Sequence, residues 1–220
     1  MIKRTAALAL LLLSMAWHAT GQVTPDCAPG NLSDYEQLGA QGCNIGQARF
    51  FNFRYQKASG GLPPGAISVT PGTTPTGADP ALLLEAHWAA PSQENSFISY
   101  DVEVPPSAKP LTGATLQMEL GQISGTGESK VVSQICPSAP HADACGPPAL
   151  ELHVMLSARA GRNVSDHREL RIPLRWFRVI SKPALTTGRN GSASMNGFMM
   201  VFHLQTSPPA NPGKPPAGSH

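Results

Sequence analysis

Phe97-Ile98-Ser99-Tyr100-Asp101-Val102-Glu103-Val104 alternates apolar and polar residues almost without a break. Successive side chains of a strand point to opposite sides, so Ile98, Tyr100, Val102 and Val104 share one face and Ser99, Asp101 and Glu103 the other. A period of two over that length is the mark of a half-buried β-strand, and the neighbouring segments repeat it. In 48–56, Phe51, Phe53 and Tyr55 fall on one face and Asn52, Arg54 and Gln56 on the other. Such an aromatic stripe fits core packing, with a sugar-stacking platform as its other use. Further strands are expected at 67–70, 82–89, 96–104, 115–124, 128–135, 150–157, 170–180 and 192–205. Between 115 and 135, Gly125-Thr126-Gly127 interrupts two alternating runs and predicts a hairpin with glycines at the positive-φ turn positions.

Composition agrees with strands. Only 14% of the 220 residues are charged, against about 25% in ordinary globular chains, which excludes a long helical bundle or coiled coil. The 21 Gly and 22 Pro gather at the junctions, in 60–65, 71–80, Pro105-Pro106, Pro110, Gly146-Pro147-Pro148 and Asn190-Gly191. Short strands punctuated in this way predict an all-β, antiparallel β-sandwich of eight or nine strands. One short helix is expected near its N-terminus, over 31–39. Ser33 with Glu36 reads there as a capping box, Leu32 and Leu38 as the apolar side, and Gly39 as the stop.

The N-terminus carries an address. Lys3 and Arg4 precede an apolar run from Ala6 to Trp17, followed by Ala19 and Gly21 at the small-residue positions of a cleavage site. Residues 1–21 therefore read as a secretory signal peptide, leaving a single sandwich domain over 22–206 and a Pro-rich disordered tail over 207–220. The expected location is secreted, extracellular or periplasmic. No later run is apolar for the roughly 20 residues a membrane span requires, so no transmembrane anchor is expected after signal removal.

Loss of Lys3 and Arg4 leaves 14 basic and 14 acidic residues, and with them no electrostatic case for nucleic acid as a partner. Neutrality conceals a segregation. Arg159, Arg162, Arg168, Arg171, Arg175, Arg178, Lys182 and Arg189 stand against only Asp166 and Glu169 in the same stretch. Strands from the two halves of the chain would pair these charges across a sheet face; the other reading is a patch for an anionic ligand.

Export places Cys27, Cys43, Cys136 and Cys145 in an oxidising compartment. Four cysteines permit three connectivities, and local closure, Cys27–Cys43 and Cys136–Cys145, is expected. Cys136, His141, Asp143 and Cys145 also have an order that zinc could use. The compartment and the surrounding prolines favour a disulfide-closed turn, and neither metal nor cofactor is expected.

The block Cys27, Leu32, Tyr35, Leu38-Gly39, Gly42-Cys43, Ile45-Gly46, Phe50, Asn52-Phe53 and Tyr55 resembles the opening of secreted bacterial β-rich proteins that commonly precede a PEP-CTERM sorting signal. Ser99-Tyr100-Asp101-Val102, Gly125-Thr126-Gly127, Val131 with Cys136, and Asn190-Gly191-Ser192-Ala193-Ser194 follow in similar order. The resemblance implies an exported or surface ectodomain of sandwich fold and brings no established reaction. The usual ending of that family, Pro-Glu-Pro with an apolar span and a terminal basic cluster, is replaced here by the Pro-rich tail. Release outside the membrane or loose cell-wall association is then expected.

Chemistry leaves few local signs. Gly-x-Ser-x-Gly, His-Glu-x-x-His, a phosphate-binding Gly-x4-Gly-Lys loop and a dinucleotide Gly-x-Gly-x-x-Gly are all missing. Glu151 and His153 share a strand face, as do Asp101 and Glu103, and both pairs also fit solvated faces. The expectation is an exported, non-enzymatic surface or extracellular-matrix protein with no catalytic residue. Its first alternative is a carbohydrate- or exopolysaccharide-binding module using Trp88, Tyr100 and Trp176 with Arg171, Arg175 and Arg178. The second is a secreted hydrolase with a dispersed site, which requires a histidine to meet a carboxylate and a nucleophile brought from distant positions.

Overall fold

A computed structural model describes residues 24–58, 61–75, 79–89, 94–119, 121–137, 146–157 and 161–204, and the structural statements below concern those residues. The expected signal peptide and Pro-rich tail lie outside them, as do His141, Asp143 and Cys145.

The elements in order are β1 (Gly30–Asn31), α1 (Leu32–Gln37), β2 (Cys43–Ile45), β3 (Ala48–Gln56), β4 (Ser68–Thr73), β5 (Pro80–Ala89), β6 (Glu94–Asn95), β7 (Phe97–Glu103), β8 (Leu111–Glu119), β9 (Ile123–Ser124), β10 (Glu128–Pro137), β11 (Leu150–Ser157), β12 (Gly161–Asn163), β13 (Ser165–Leu174), β14 (Trp176–Thr186) and β15 (Ser192–Leu204). They form two antiparallel sheets. One runs β1-β4-β5-β15-β8-β13, with β9 on β15; the other runs β12-β11-β10-β14-β7-β3-β2, with β6 on β14. This is the expected sandwich with its one short helix.

The core lies between the sheets, where the inward residues of each alternating strand meet. Phe202 of β15 in the first sheet packs on Phe50 of β3 and Phe177 of β14 in the second, both with ring centroids 5.6 Å away. Tyr100 of β7 extends the chain of rings to Phe53 at 5.1 Å, and Tyr35 of α1 continues it at 4.9 Å. Trp88, Tyr100, Phe50, Phe177, Phe198 and Phe202 are all fully buried. Fully burying one large apolar side chain contributes roughly 1.5–3 kcal/mol, so these rings dominate the adhesion of the layers.

Helix α1 closes one end of the sandwich by inserting Leu32 and Tyr35. Its cap differs from the expected one: Asn31 is the N-cap and Asp34 its reciprocal partner. Ser33 instead hydrogen-bonds Asn31. Glu36 is drawn away to accept the main-chain N–H of Tyr55 at 2.8 Å. Tyr35 Oη donates to Ala28 O at 2.8 Å, and burial pushes this hydroxyl up to about 12. The Cys27–Cys43 disulfide is formed, with its Cα atoms 4.8 Å apart, and ties the leading segment to β2. Cys136 is buried and disulfide-bonded; its expected partner, Cys145, is outside the described residues.

Three further expectations need correction. Gly125-Thr126-Gly127 does not join a hairpin, because β8 pairs with β13 and β15 while β10 pairs with β11 and β14 in the other sheet. The turn is a crossover between layers, and Gly125 alone of its two glycines takes a positive φ, at 56°. Residues 170–180, expected as one strand, break at Arg175. Its Nη1 donates to Pro105 O at 2.7 Å and Ala108 O at 2.8 Å, pinning the corner where the chain leaves the first sheet as β13 and enters the second as β14. In β3, Asn52 has φ 54° and the register on β7 slips between Phe51 and Arg54. This is the signature of a β-bulge. It turns Phe51 to the outer face, while Phe53 and Tyr55 stay on the inner one.

Candidate functional site

The outer face of the second sheet collects the charges that the sequence keeps apart. Cross-strand register sets Arg49 of β3 opposite Glu103 of β7, and Asp101 of β7 opposite Arg178 of β14. Arg178 Nε donates to Asp101 Oδ1 at 2.7 Å and Nη2 to Oδ2 at 3.0 Å, a two-point bond between largely buried side chains. Asn52 Nδ2, presented by the bulge, donates to the same Oδ2 at 2.9 Å. Arg49 donates to Glu103 Oε2 from Nε at 2.9 Å and from Nη2 at 2.6 Å. Asp101 and Glu103 are thereby each committed to an arginine, and neither stands free as the proton donor a glycosidase needs.

Aromatic rings border these ion pairs. The Arg49 guanidinium lies 4.4 Å from the centroid of Phe51, and Phe51 meets the half-buried Trp176 edge to face at 5.3 Å. Further along the same ladder, Lys182 Nζ stands 5.4 Å from the ring of Phe97, which is 39% exposed. Phe97 and Lys182 are the next register pair beyond Ile98 and Ser181. From Trp176 to Lys182 the strand rises about 20 Å at roughly 3.4 Å per residue. The face is thus a strip with the half-buried Trp176 and the arginine–carboxylate network at one end, over a buried Phe51, and the exposed Phe97 ring at the other.

Of the residues expected to form a ligand surface, Trp176 and Arg178 occupy this strip. Trp88 and Tyr100 do not. Both are completely buried in the core, because their strands place them on the inner face, so their rings cannot stack on an external ligand. Arg175 serves the β13–β14 corner, and Arg171 is exposed on β13 away from the strip. Phe51, Phe97, Arg49 and Lys182 were not anticipated. Phe51 was concealed by the bulge, whereas Phe97 begins the alternating run and could have been assigned to its outer face.

Glu151 and His153 do meet, Oε1 to Nε2 at 2.8 Å, on the exposed surface of β11. Gln134 Nε2 donates to the other carboxylate oxygen at 2.6 Å. That bond, followed by the one from His153, holds the Glu151 carboxyl below the usual glutamate range. Both side chains are well exposed, 54% for His153 and 40% for Glu151.

A dispersed convergence does occur on the outer face of the first sheet. His203 of β15 faces Asp79 through Nδ1 at 2.9 Å and Thr115 Oγ1 of β8 through Nε2 at 2.7 Å; His167 Nδ1 of β13 is 3.0 Å from the same hydroxyl. Asp79 Oδ1 accepts from Leu204 N at 3.0 Å, which fixes the carboxylate. Carboxylate, imidazole and hydroxyl thus stand in the order a triad requires. An acyl transfer site also needs free N–H donors for the oxyanion. β8 is interior to its sheet, and its main-chain amides are used in ladders with β13 and β15. Asp79 and His203 lie 124 positions apart in the chain, so no local motif announces the cluster.

No helix among the described residues is long and apolar enough to cross a membrane, and no set of three His, Cys, Asp or Glu side chains surrounds a common point. No protein-family model matches the chain, and no curated protein is significantly similar to it. Among solved structures, TmCBM61 in complex with β-1,4-galactotriose is similar over 69% of this chain and 88% of that one, at 11% identity and a TM-score of 0.35.

Proposed function

We propose that this chain is an exported, non-enzymatic component of the cell surface or extracellular matrix that binds polysaccharide along the outer face of β3, β7 and β14. The observation that carries the reading is the strip itself, with the half-buried Trp176 beside guanidinium and carboxylate groups in fixed two-point bonds at one end and the exposed Phe97 at the other. Aromatic faces suit the C–H surfaces of sugar rings, and a preorganised polar network can exchange hydrogen bonds with hydroxyls without ordering new side chains. A flat, extended surface suits a long chain rather than a small substrate enclosed in a pocket. The Cys27–Cys43 disulfide supports an oxidising compartment.

Affinity electrophoresis through gels containing neutral or anionic polysaccharides tests this. Retardation by at least one polymer is expected, together with its loss in Trp176→Ala and no release of new reducing ends on prolonged incubation. Unaltered mobility of the folded chain in every polymer would overturn the binding reading. Reducing-end release would overturn the non-enzymatic one.

A further inference from the structure

We propose that β13 is an interaction edge on which a second copy of this chain pairs antiparallel, about a two-fold axis at His167, joining the first sheets of two molecules. A terminal strand carries unused N–H and C=O groups, and proteins commonly blunt such edges by keeping them short. Here β1, β2 and β12, the other terminal strands of the two sheets, are only 2, 3 and 3 residues long, whereas β13 has 10. Among the described residues it pairs with β8 alone.

Which groups of β13 face outward follows from one bond. Met118 N donates to Val164 O at 2.9 Å, so Met118 and Val164 form a hydrogen-bonded pair. Such pairs alternate along an antiparallel ladder. In the regular register that follows, Asp166 and Arg168 therefore turn their main-chain groups to Leu116 and Ala114 of β8. The position of Arg168 O agrees, since a Cβ on Gly113 of β8 would lie 2.8 Å from it. Ser165, His167 and Glu169 turn their N–H and C=O the other way. All three are exposed, and these groups meet no partner among the described residues.

The side chains select the occupant and the register. Charges on an edge ordinarily discourage pairing, but these alternate in sign. With His167 opposite its counterpart, Ser165 of each copy meets Glu169 of the other, and every such pair exchanges two N–H···O bonds. The same register sets Asp166 of each copy directly opposite Arg168 of the other, in non-hydrogen-bonded pairs whose Cα atoms approach to about 4.5 Å. A slip of two residues either way would instead oppose Asp166 to Asp166 or Arg168 to Arg168, and like charges there destabilise. The Arg168 side chain is 57% accessible and bonds its own Asp166 through Nε, at 3.0 Å, which leaves its terminal nitrogens for the second copy. Irregular pairing after Glu169 and the missing N–H of Pro173 end the usable edge. So short an edge buries little surface and gives a weak dimer. The contact is isologous, so it closes at two copies and builds no filament.

The test is sedimentation equilibrium of the purified, untagged chain from micromolar to millimolar concentration, with amide hydrogen exchange measured at both extremes. A monomer–dimer equilibrium is expected. Exchange at Ser165, His167 and Glu169 should slow as the dimer fills, while Asp166 and Arg168, already bonded to β8, change little. Arg168→Glu, at an exposed position, turns both Asp166–Arg168 pairs repulsive and should weaken dimerisation roughly tenfold. Arg54→Glu, the same charge change at an exposed position of β3 in the second sheet, should leave it unaltered. A chain that stays monomeric at millimolar concentration, a dimer in which those three amides still exchange freely, or a dimer indifferent to Arg168→Glu would each overturn the proposal. Should Arg168→Glu fail to fold, the exchange pattern decides alone. Polysaccharide binding on the second sheet is independent of every one of these outcomes.

Discussion

Replacing Arg178 by Ala strands the carboxylate of Asp101 in the middle of the second sheet. The side chains of Arg178 and Asp101 are only 15% and 7% accessible, and their two bonds measure 2.7 and 3.0 Å. Removing one partner of a buried pair costs about 3–5 kcal/mol, mainly because the other charge is left desolvated. Asn52 still donates to Asp101 Oδ2 in the variant, so the lower end of that range, about 3 kcal/mol, is expected. For a domain of this size 1 kcal/mol corresponds to about 2–4 °C, which puts Arg178→Ala about 6–12 °C below the parent in Tm. Asp101→Asn keeps the side-chain shape and leaves the more accessible member charged; about 2 kcal/mol is expected, as for one charge-assisted hydrogen-bonding group. If the pair acts as a unit, the double variant should cost about 2 kcal/mol less than the sum of the singles. Equilibrium unfolding in urea of the four proteins measures this coupling, and the cycle cancels whatever else each side chain touches. Additivity within about 0.5 kcal/mol would refute the reasoning, because the segregated charges would then contribute nothing by meeting across β7 and β14.

Tyr100 Oη is buried with no hydrogen-bond partner among the described residues, and burial pushes its ionisation far above the ordinary tyrosine range. Tyr100→Phe should therefore be neutral or stabilising by about 1 kcal/mol, the lower end of the cost of an unsatisfied polar group; a clear loss in a urea titration would contradict this. Replacing both Cys27 and Cys43 by Ser opens a loop whose closure stabilises by about 3 kcal/mol in the chain-entropy model, and calorimetry of the double variant should register that loss. Glu151 has a lowered pKa, so its stabilising contribution is present above the unfolded-state value and is lost as pH falls through the folded one. Gln134→Ala should move the Glu151 titration upward in a carboxyl-detected NMR experiment, and an unchanged midpoint would remove Gln134 as the main cause.

The alternation in β7 was legible because a strand with one face on the core must repeat every two residues, and Ile98, Tyr100 and Val102 are indeed fully buried. β3 shows where the pattern loses its force. A single residue at positive φ, Asn52, reverses the facing of Phe51, and nothing in the apolar pattern records a bulge. Leu174-Arg175-Trp176 is just as opaque. The break depends on carbonyls of Pro105 and Ala108, some 70 residues earlier, so it follows from tertiary structure and not from local propensity.

The sites divide in the same way. Trp176 and Arg178 could be proposed for a ligand face because they lie in a basic, strand-forming segment. Trp88 and Tyr100 were proposed on residue type, but type alone does not tell inner from outer face. The Asp79, Thr115, His167 and His203 cluster was invisible for a different reason. Each member sits on its own strand or strand entrance, and only the order β5-β15-β8-β13 brings them together.

The strip across β3, β7 and β14 is tested most directly by backbone and side-chain NMR of the labelled chain during titration with a polysaccharide fragment that retards it in the gel. The account predicts that shifts concentrate at the Trp176 indole, Phe51, Phe97, Arg49 and Arg178, while the face bearing His203 stays unchanged. Shifts confined to that opposite face, or scattered without a focus, would contradict it.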